Sequence, residues 1–124
     1  LLASRDYFAV YPDQATVAGL APDMGALKKA EKKAVIATAP GAEPGVDFVS
    51  RFFAPALGVD EDPVTGSAHS TLIPYWAQRL GKTKLFGKQI SPRGGELFCE
   101  LRGDRVGIGG RAVLYSKNEL YIPG

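Results

Sequence analysis

The stretch EDPVTGSAH, residues 61–69, decides the fold, because it joins an acidic turn to an apolar run that continues through Leu80. Leu72, Trp76 and Leu80 fall on one helical stripe, and further apolar residues lie on the neighbouring stripes. A helix that is apolar on most sides is usually buried on most sides. The stretch therefore predicts a buried central helix, ended by Gly81, with a sheet wrapped around it.

The N-terminus of this helix is the candidate functional site. The first N–H groups of a helix lack intrahelical partners and together carry about half a positive charge. Thr65, Gly66 and Ser67 are the predicted substrate-binding residues, because the backbone can come close to a ligand where Gly66 has no side chain to obstruct it. A carboxylate would fit there beside Asp62, whose carboxyl group could donate or accept a proton.

The same residue types also fit a purely structural role. In that interpretation Asp62 or Thr65 caps the helix and Gly66 eases a turn. His69 lies one turn into the helix and is either a proton carrier or a hydrogen-bonding residue on the helix surface. Glu61 is a further candidate, because it either contacts a ligand or holds the loop.

Composition restricts the class of protein. The chain has 124 residues, enough for one domain, and its 45% hydrophobic and 23% charged content is typical of soluble proteins. The formal charge of +2 gives no argument for a nucleic-acid or membrane partner, and no apolar run is long enough to span a bilayer. One cysteine excludes an internal disulfide and gives no metal-ligand spacing. We therefore expect a cytoplasmic protein without a metal.

The other patterns predict an α+β fold over residues 1–124. One amphipathic helix begins at Asp23, and its lysines are interpreted as a solvated face rather than a nucleic-acid patch. Cys99 alternates with Leu97 and Leu101, which predicts core packing. So few helices favour a curled mixed or antiparallel sheet over a doubly wound one. Strands are predicted at residues 6–11, 34–39, 46–54, 85–91, 96–102, 105–109, 112–116 and 119–122.

Four segments, in order, resemble the PhzF-like family of phenazine biosynthesis. They are DFVSRFFAP at 47–55, the stretch 58–69, YWA at 75–77 and QISPRGG at 89–95. The resemblance covers the C-terminal half of such proteins. It implies the diaminopimelate-epimerase-like fold, in which two similar halves each curl a sheet around a central helix and share an active site between them.

The resemblance also implies an activity. Members of this family are cofactor-independent isomerases that transfer protons on small carboxylic acids. Carried over to this sequence, Asp62 is the catalytic residue, and the amides of Gly66 and Ser67 bind the substrate carboxylate. Thr65 stands where related racemases carry a cysteine, which argues against a two-cysteine mechanism.

The family's principal acid/base glutamate belongs to the N-terminal half, which this chain lacks. The chain also opens at Leu1 without an initiator methionine, so we expect a fragment that holds half of an active site. Its expected partners are the N-terminal domain, a small carboxylic acid and a second copy in a homodimer. The alternative is a small-molecule (anion) binding or dimerisation module, in which two copies present two helix N-termini to one cleft.

Overall fold

The computed structural model describes residues 2–3 and 5–124, with side chains from Arg5 onward. This part of the chain forms a mixed α+β fold, as predicted, and none of its helices is long and apolar enough to cross a membrane. The helices are α1 (Gln14–Ala18), α2 (Met24–Lys28) and α3 (His69–Leu80), and a 3-10 turn covers Pro55–Leu57. The strands are β1 (Leu2–Ala3), β2 (Tyr7–Val10), β3 (Val35–Pro40), β4 (Phe48–Ala54), β5 (Val59–Asp62), β6 (Lys84–Gln89), β7 (Gly95–Arg102) and β8 (Arg105–Gly109).

All of these strands belong to one open, mixed sheet. Its order is β1-β2-β3-β4-β6-β7-β8, and β5 pairs with β4 outside that order. β2 runs parallel to β3, and β4 runs parallel to β6. The other pairs are antiparallel. Each parallel pair needs a crossover connection. The connection from β2 to β3 contains α1 and α2, and the connection from β4 to β6 contains α3.

One edge of β4 is shared by two strands, and this arrangement positions the candidate site. The first half of β4 pairs with β6 and the second half pairs with β5. The parallel strand β6 ends at Gln89 opposite Ser50, whereas the antiparallel strand β5 ends at Asp62 opposite Phe52. The C-terminal ends of β5 and β6 therefore meet two positions apart along β4, roughly 7 Å.

Helix α3 packs against β6, β7 and β8, and its Tyr75 and Trp76 also contact β2, β3 and β4. The opposite stripe, Ser70, Pro74 and Gln78, is exposed. Pro74 is tolerated because the carbonyl that it leaves unbonded, that of Ser70, lies on this solvent-facing stripe. The predicted wrapping of the sheet around the helix is therefore not confirmed in the described residues. The predicted end is confirmed, since Gly81 adopts the left-handed conformation with φ of 66°.

The hydrophobic core has two parts because side chains alternate between the two faces of the sheet. Phe48 and Phe52 of β4 contribute to the larger part, whereas Val49 and Phe53 contribute to the smaller part, beneath α1 and α2. At the centre of the larger part Trp76 stacks on Phe48, with ring centroids 6.0 Å apart and planes 3° apart. The indole N–H donates a 3.0 Å hydrogen bond to Thr38 Oγ1, which satisfies the polar edge of the ring.

Cys99 lies in the larger part of the core, as its alternation with leucines predicts. Burial, together with the negative charge of Asp47, raises the pKa of the Cys99 thiol to about 11. The thiol therefore stays protonated at neutral pH, and its role is packing rather than nucleophilic chemistry.

The helices before β3 are short and capped. Asp23 caps α2 as predicted, accepting a 3.0 Å hydrogen bond from Ala26 N, and α2 ends at Lys28. The lysines that follow are largely exposed, in agreement with a solvated face. Helix α1 is not predicted by the sequence pattern, although Asp13 caps it through a 2.7 Å bond from Thr16 N. With five residues it is too short to show a helical period.

The two strands predicted at residues 112–116 and 119–122 are wrong, because residues 110–124 have no regular structure. Their apolar side chains are open to solvent, with exposed fractions of 92% for Val113, 98% for Tyr115 and 85% for Tyr121. A strand needs a hydrogen-bonded neighbour as well as apolar residues, and no strand of the described sheet pairs with this segment.

Candidate active site

The loop between β5 and α3 ends in an open helix N-terminus. Helix α3 begins at His69, and no side chain forms a hydrogen bond that caps it. The interpretation of Asp62 or Thr65 as a helix cap is therefore wrong. Within the described residues, the N–H groups of Gly66 and Ser67 have no hydrogen-bond acceptor. Both residues are exposed, so these donors can bind an external anion at the positive end of the helix.

Asp62 is fixed to this loop by a side-chain hydrogen bond. Its Oδ2 accepts a 2.6 Å bond from the hydroxyl of Thr65, which is itself buried. Gln89 holds the same two residues from the end of β6, because its side-chain amide bonds to both Asp62 O and Thr65 N. Asp62 and Thr65 are thus locked together, whereas Gly66 and Ser67 face outward.

The turn after β6 supports the loop from the other side. The hydroxyl of Ser91 donates a 2.8 Å bond to Pro63 O and accepts a 3.0 Å bond from Gly94 N. Gly95 packs against Val64 so closely that a Cβ at this position would lie 2.1 Å from Val64 Cγ2. Glycine is therefore required at the start of β7 for the loop between β5 and α3 to keep this position.

His69 is fully buried at the start of α3, so the interpretation as a surface residue is wrong. Its Nδ1 lies 2.7 Å from Thr65 O, and because a carbonyl only accepts, Nδ1 carries the proton. Within the described residues Nε2 has no partner. Burial lowers the pKa of His69 below its ordinary value, and the bond to Thr65 opposes this only in part. A neutral imidazole that orients the Thr65 carbonyl is the role that the geometry supports.

We expect the free energy of unfolding to fall as the pH drops below about 6.5, the pKa of an unperturbed histidine. The unfolded chain binds the proton first, because burial lowers the pKa of His69 only in the folded state. The contribution of neutral His69 to the free energy of unfolding is therefore fully present above that pH. Below it, the free energy of unfolding declines by up to about 1.4 kcal/mol per pH unit. Urea unfolding between about pH 5 and pH 7.5 measures the slope.

A His69→Gln variant is the control for this slope. The chain has one histidine, so the variant should show a flat stability profile over the same interval. A wild-type profile as flat as that of the variant would contradict the assignment of a buried neutral imidazole.

Glu61 forms an ion pair with Arg51 and does not contact the open N–H groups of Gly66 and Ser67. Arg51 Nε lies 2.7 Å from Glu61 Oε1, and its Nη2 lies 2.8 Å from Oε2, so the pair is bidentate. Arg51 Nη1 also donates to the carbonyls of Val17, Ala18 and Leu20 at the end of α1. The pair joins β4, β5 and α1, which favours the loop-holding role for Glu61.

A further cation lies beside the open helix N-terminus. Arg5 Nη2 donates a 3.2 Å hydrogen bond to Ser67 Oγ and a 3.3 Å bond to Asp6 Oδ2. The Arg5 side chain is mostly exposed, so its charge also faces the solvent around Ser67. Sequence reasoning missed this contact because 62 positions separate the two residues and no motif connects them.

The structure therefore places Asp62, Thr65, Gly66 and Ser67 in one loop, with Gln89 and Arg5 in contact with it. Glu61 and His69 make supporting contacts, to Arg51 and to Thr65 O respectively. No role at this loop emerges for Arg93, which is exposed on the turn after β6. Fold and site together define a class: a mixed α+β domain that presents one carboxyl group beside an open helix N-terminus.

Comparisons with known proteins identify the family of this chain. The family model described as "Phenazine biosynthesis-like protein" matches residues 3–118. An uncharacterized isomerase of Pseudomonas aeruginosa is 50% identical over 122 residues, which are 98% of this chain and 46% of that protein. A human phenazine biosynthesis-like domain-containing protein is 55% identical over 89 residues, 66% of this chain and 31% of its own length.

A solved structure shares the fold as well as the sequence. The crystal structure of a phenazine biosynthesis protein of the PhzF family from Enterococcus faecalis matches with a TM-score of 0.86 and 52% identity, over 96% of this chain and 45% of that one. This chain belongs to the phenazine biosynthesis-like, or PhzF, family. It spans about half the length of the two bacterial relatives named above.

Proposed function

We propose that this chain is the C-terminal half of a cofactor-independent isomerase that moves a proton on a small carboxylic acid. The observation that carries the proposal is the placement of Asp62 in the same short loop as the open N–H groups of Gly66 and Ser67. The names of bacterial relatives, which are called isomerases, support the reaction class.

In this proposal the two parts of the loop have different tasks. The N–H groups of Gly66 and Ser67 bind the carboxylate of the substrate, and the positive end of α3 favours its charge. Arg5 adds a cation beside Ser67, which suits the same anion. Asp62 exchanges a proton with a carbon atom of the bound acid.

The chemistry needs no external reagent. Such an isomerisation breaks one C–H bond and forms another: the electron pair of the broken bond forms a new double bond, and the pair of the original adjacent double bond forms the new C–H bond. The proton removed from one carbon is replaced at a second carbon, so the atoms of substrate and product are the same. Asp62 serves one of these two transfers. We propose that a group in the remainder of the full-length protein serves the other.

Two observations support a missing half. The matched relatives are more than twice as long as the matched segment, since it covers 46% of the uncharacterized isomerase from Pseudomonas aeruginosa. Residues 110–124 also expose a series of large apolar side chains that folded proteins usually cover. We propose that the other half covers this segment and that the joined halves enclose α3 in the diaminopimelate-epimerase-like manner. A homodimer of the full-length protein belongs to the same proposal.

Deuterium incorporation tests the proposed reaction. The full-length protein is incubated in D₂O with a set of small unsaturated carboxylic acids, and mass spectrometry follows deuterium at carbon. We expect at least one acid to gain deuterium or to isomerise, and we expect no exchange from the 124-residue chain alone. An absence of exchange for the whole set, together with an absence of carboxylate binding, would contradict the proposal.

A binding module without catalysis is the second candidate. It is favoured by the fact that both open N–H groups lie in this chain, which needs no other half to bind an anion. The same experiment separates the two candidates. Binding of succinate by the full-length protein, without exchange of any acid, would favour the module.

A further inference from the structure

The side chain of Gln89 is the least expected part of the candidate site. It is 1% exposed, although glutamine is mostly a surface residue. Burial of an amide is costly unless it is hydrogen-bonded, so its partners indicate what it is for. All of them belong to the loop that carries the site, and they are Asp62 and Thr65.

The orientation of this amide is determined by backbone groups, which can act only as donor or only as acceptor. Oε1 accepts a 2.8 Å bond from Thr65 N, and Nε2 donates a 2.7 Å bond to Asp62 O. A flipped amide would place donor against donor and acceptor against acceptor. The second hydrogen of Nε2 is therefore directed to Thr65 Oγ1, at 3.1 Å.

This orientation determines where the hydroxyl proton of Thr65 goes. Because Oγ1 accepts from Gln89, its single proton is available for Asp62 Oδ2, at 2.6 Å. The hydrogen bonds thus run in one direction, from Gln89 through Thr65 to Asp62. Oδ2 is engaged as an acceptor, and within the described residues no hydrogen bond engages the other oxygen, Oδ1.

The Gln89 side chain also determines which N–H groups are open to an anion. The N–H of Thr65 is bonded to Gln89 and cannot bind a ligand, so the open donors begin at Gly66. Gln89 reaches both groups because β5 and β6 end next to each other on the edge of β4.

We propose that Gln89 is a positioning residue of this site: through the Thr65 hydroxyl it leaves Oδ1 of Asp62 as the oxygen that meets the substrate, and through the Thr65 N–H it holds the turn that presents Gly66 and Ser67. The inference rests on the proposed function. It adds a residue that touches no reacting atom and acts through Thr65.

The test uses the full-length protein and two measurements. The first is the dissociation constant for succinate, from the chemical shifts of the Gly66 and Ser67 amides. The second is the rate of deuterium incorporation into an acid that the wild-type protein exchanges. Gln89→Met removes all three hydrogen bonds and keeps the length of the side chain. We expect it to weaken succinate binding and to slow exchange, each by about tenfold, the loss that about 1.4 kcal/mol produces.

Thr65→Val separates positioning from general packing. It removes the hydroxyl between Gln89 and Asp62 but keeps the Thr65 N–H that Gln89 holds. We expect succinate binding within about twofold of wild type and exchange slower by about tenfold. Thr38→Val is the matched control, because it removes a buried threonine hydroxyl that bonds to Val49 O and Trp76, away from the loop. It should lower stability and leave both measurements unchanged.

The outcomes distinguish this inference from the proposed function. A wild-type protein that neither binds succinate nor exchanges any acid contradicts the function itself. A Gln89→Met variant that folds and matches wild type in both measurements overturns the role of Gln89. If that variant does not fold, the wild-type protein decides: rapid hydrogen exchange of the Gln89 side-chain amide and of Thr65 N–H would overturn the role, and slow exchange of both would support it.

Discussion

Replacement of Asp62 by Asn in the full-length protein should lower the rate of the isomerisation by about 10²- to 10⁴-fold, the usual contribution of a positioned acid or base. Asparagine has the shape of aspartate and can still accept from the Thr65 hydroxyl, which lies 2.6 Å from Asp62 Oδ2. It cannot carry a proton to or from carbon. We therefore expect loss of turnover with little change in the free energy of unfolding.

Asp60→Asn is the matched control for this experiment. Asp60 lies two residues earlier on β5 and is exposed, and the hydrogen bonds of Thr65 and Gln89 described above do not include it. The control should keep wild-type turnover, and deuterium exchange should fall in parallel with turnover only in Asp62→Asn. Wild-type turnover in Asp62→Asn would remove Asp62 from the chemistry and leave the open helix N-terminus as a binding site.

The parts of the fold that the sequence predicts are those with local causes. Asp23 caps α2 and Gly81 ends α3, because each effect depends on residues within one helical turn. The strand that carries Cys99 is recognised from its alternation of buried and exposed residues. The sequence fails for residues 112–116 and 119–122, where short apolar runs predict strands but no described strand supplies the pairing.

The candidate site shows the same division. Asp62 and residues 65–67 are predicted together because they lie within six positions of the chain and lead into a helix. Gln89 is not recognised as part of the site, because it is 27 residues from Asp62 and reaches it only through the shared edge of β4. The contact between Arg5 and Ser67 has the same origin. Such contacts depend on strand order and register, which a single sequence does not specify.

Replacement of Arg51 by Leu should produce the largest loss of stability among these variants, about 3 to 5 kcal/mol. The Arg51 and Glu61 side chains are only 12% and 15% exposed and form a bidentate ion pair. Leucine would leave the Glu61 carboxylate in a low-dielectric environment without its partner, and it would also leave the carbonyls at the end of α1 without a donor. Both losses arise where β5 and β6 meet on the edge of β4.

Chemical denaturation of the 124-residue chain and of the full-length protein measures this loss. Lys88→Met is the matched control, because it breaks the Lys88–Glu43 ion pair, which is more exposed, and should cost less than about 1 kcal/mol. Hydrogen bonding to Glu61 raises the pKa of Arg51 above its ordinary value, so Arg51 stays charged and its own titration adds no pH dependence to the defect. Relative to wild type, Arg51→Leu should also accelerate amide hydrogen exchange more in α1 than in α3. A loss no larger than that of Lys88→Met would mean that water replaces Arg51 and that the pair does not hold the loop.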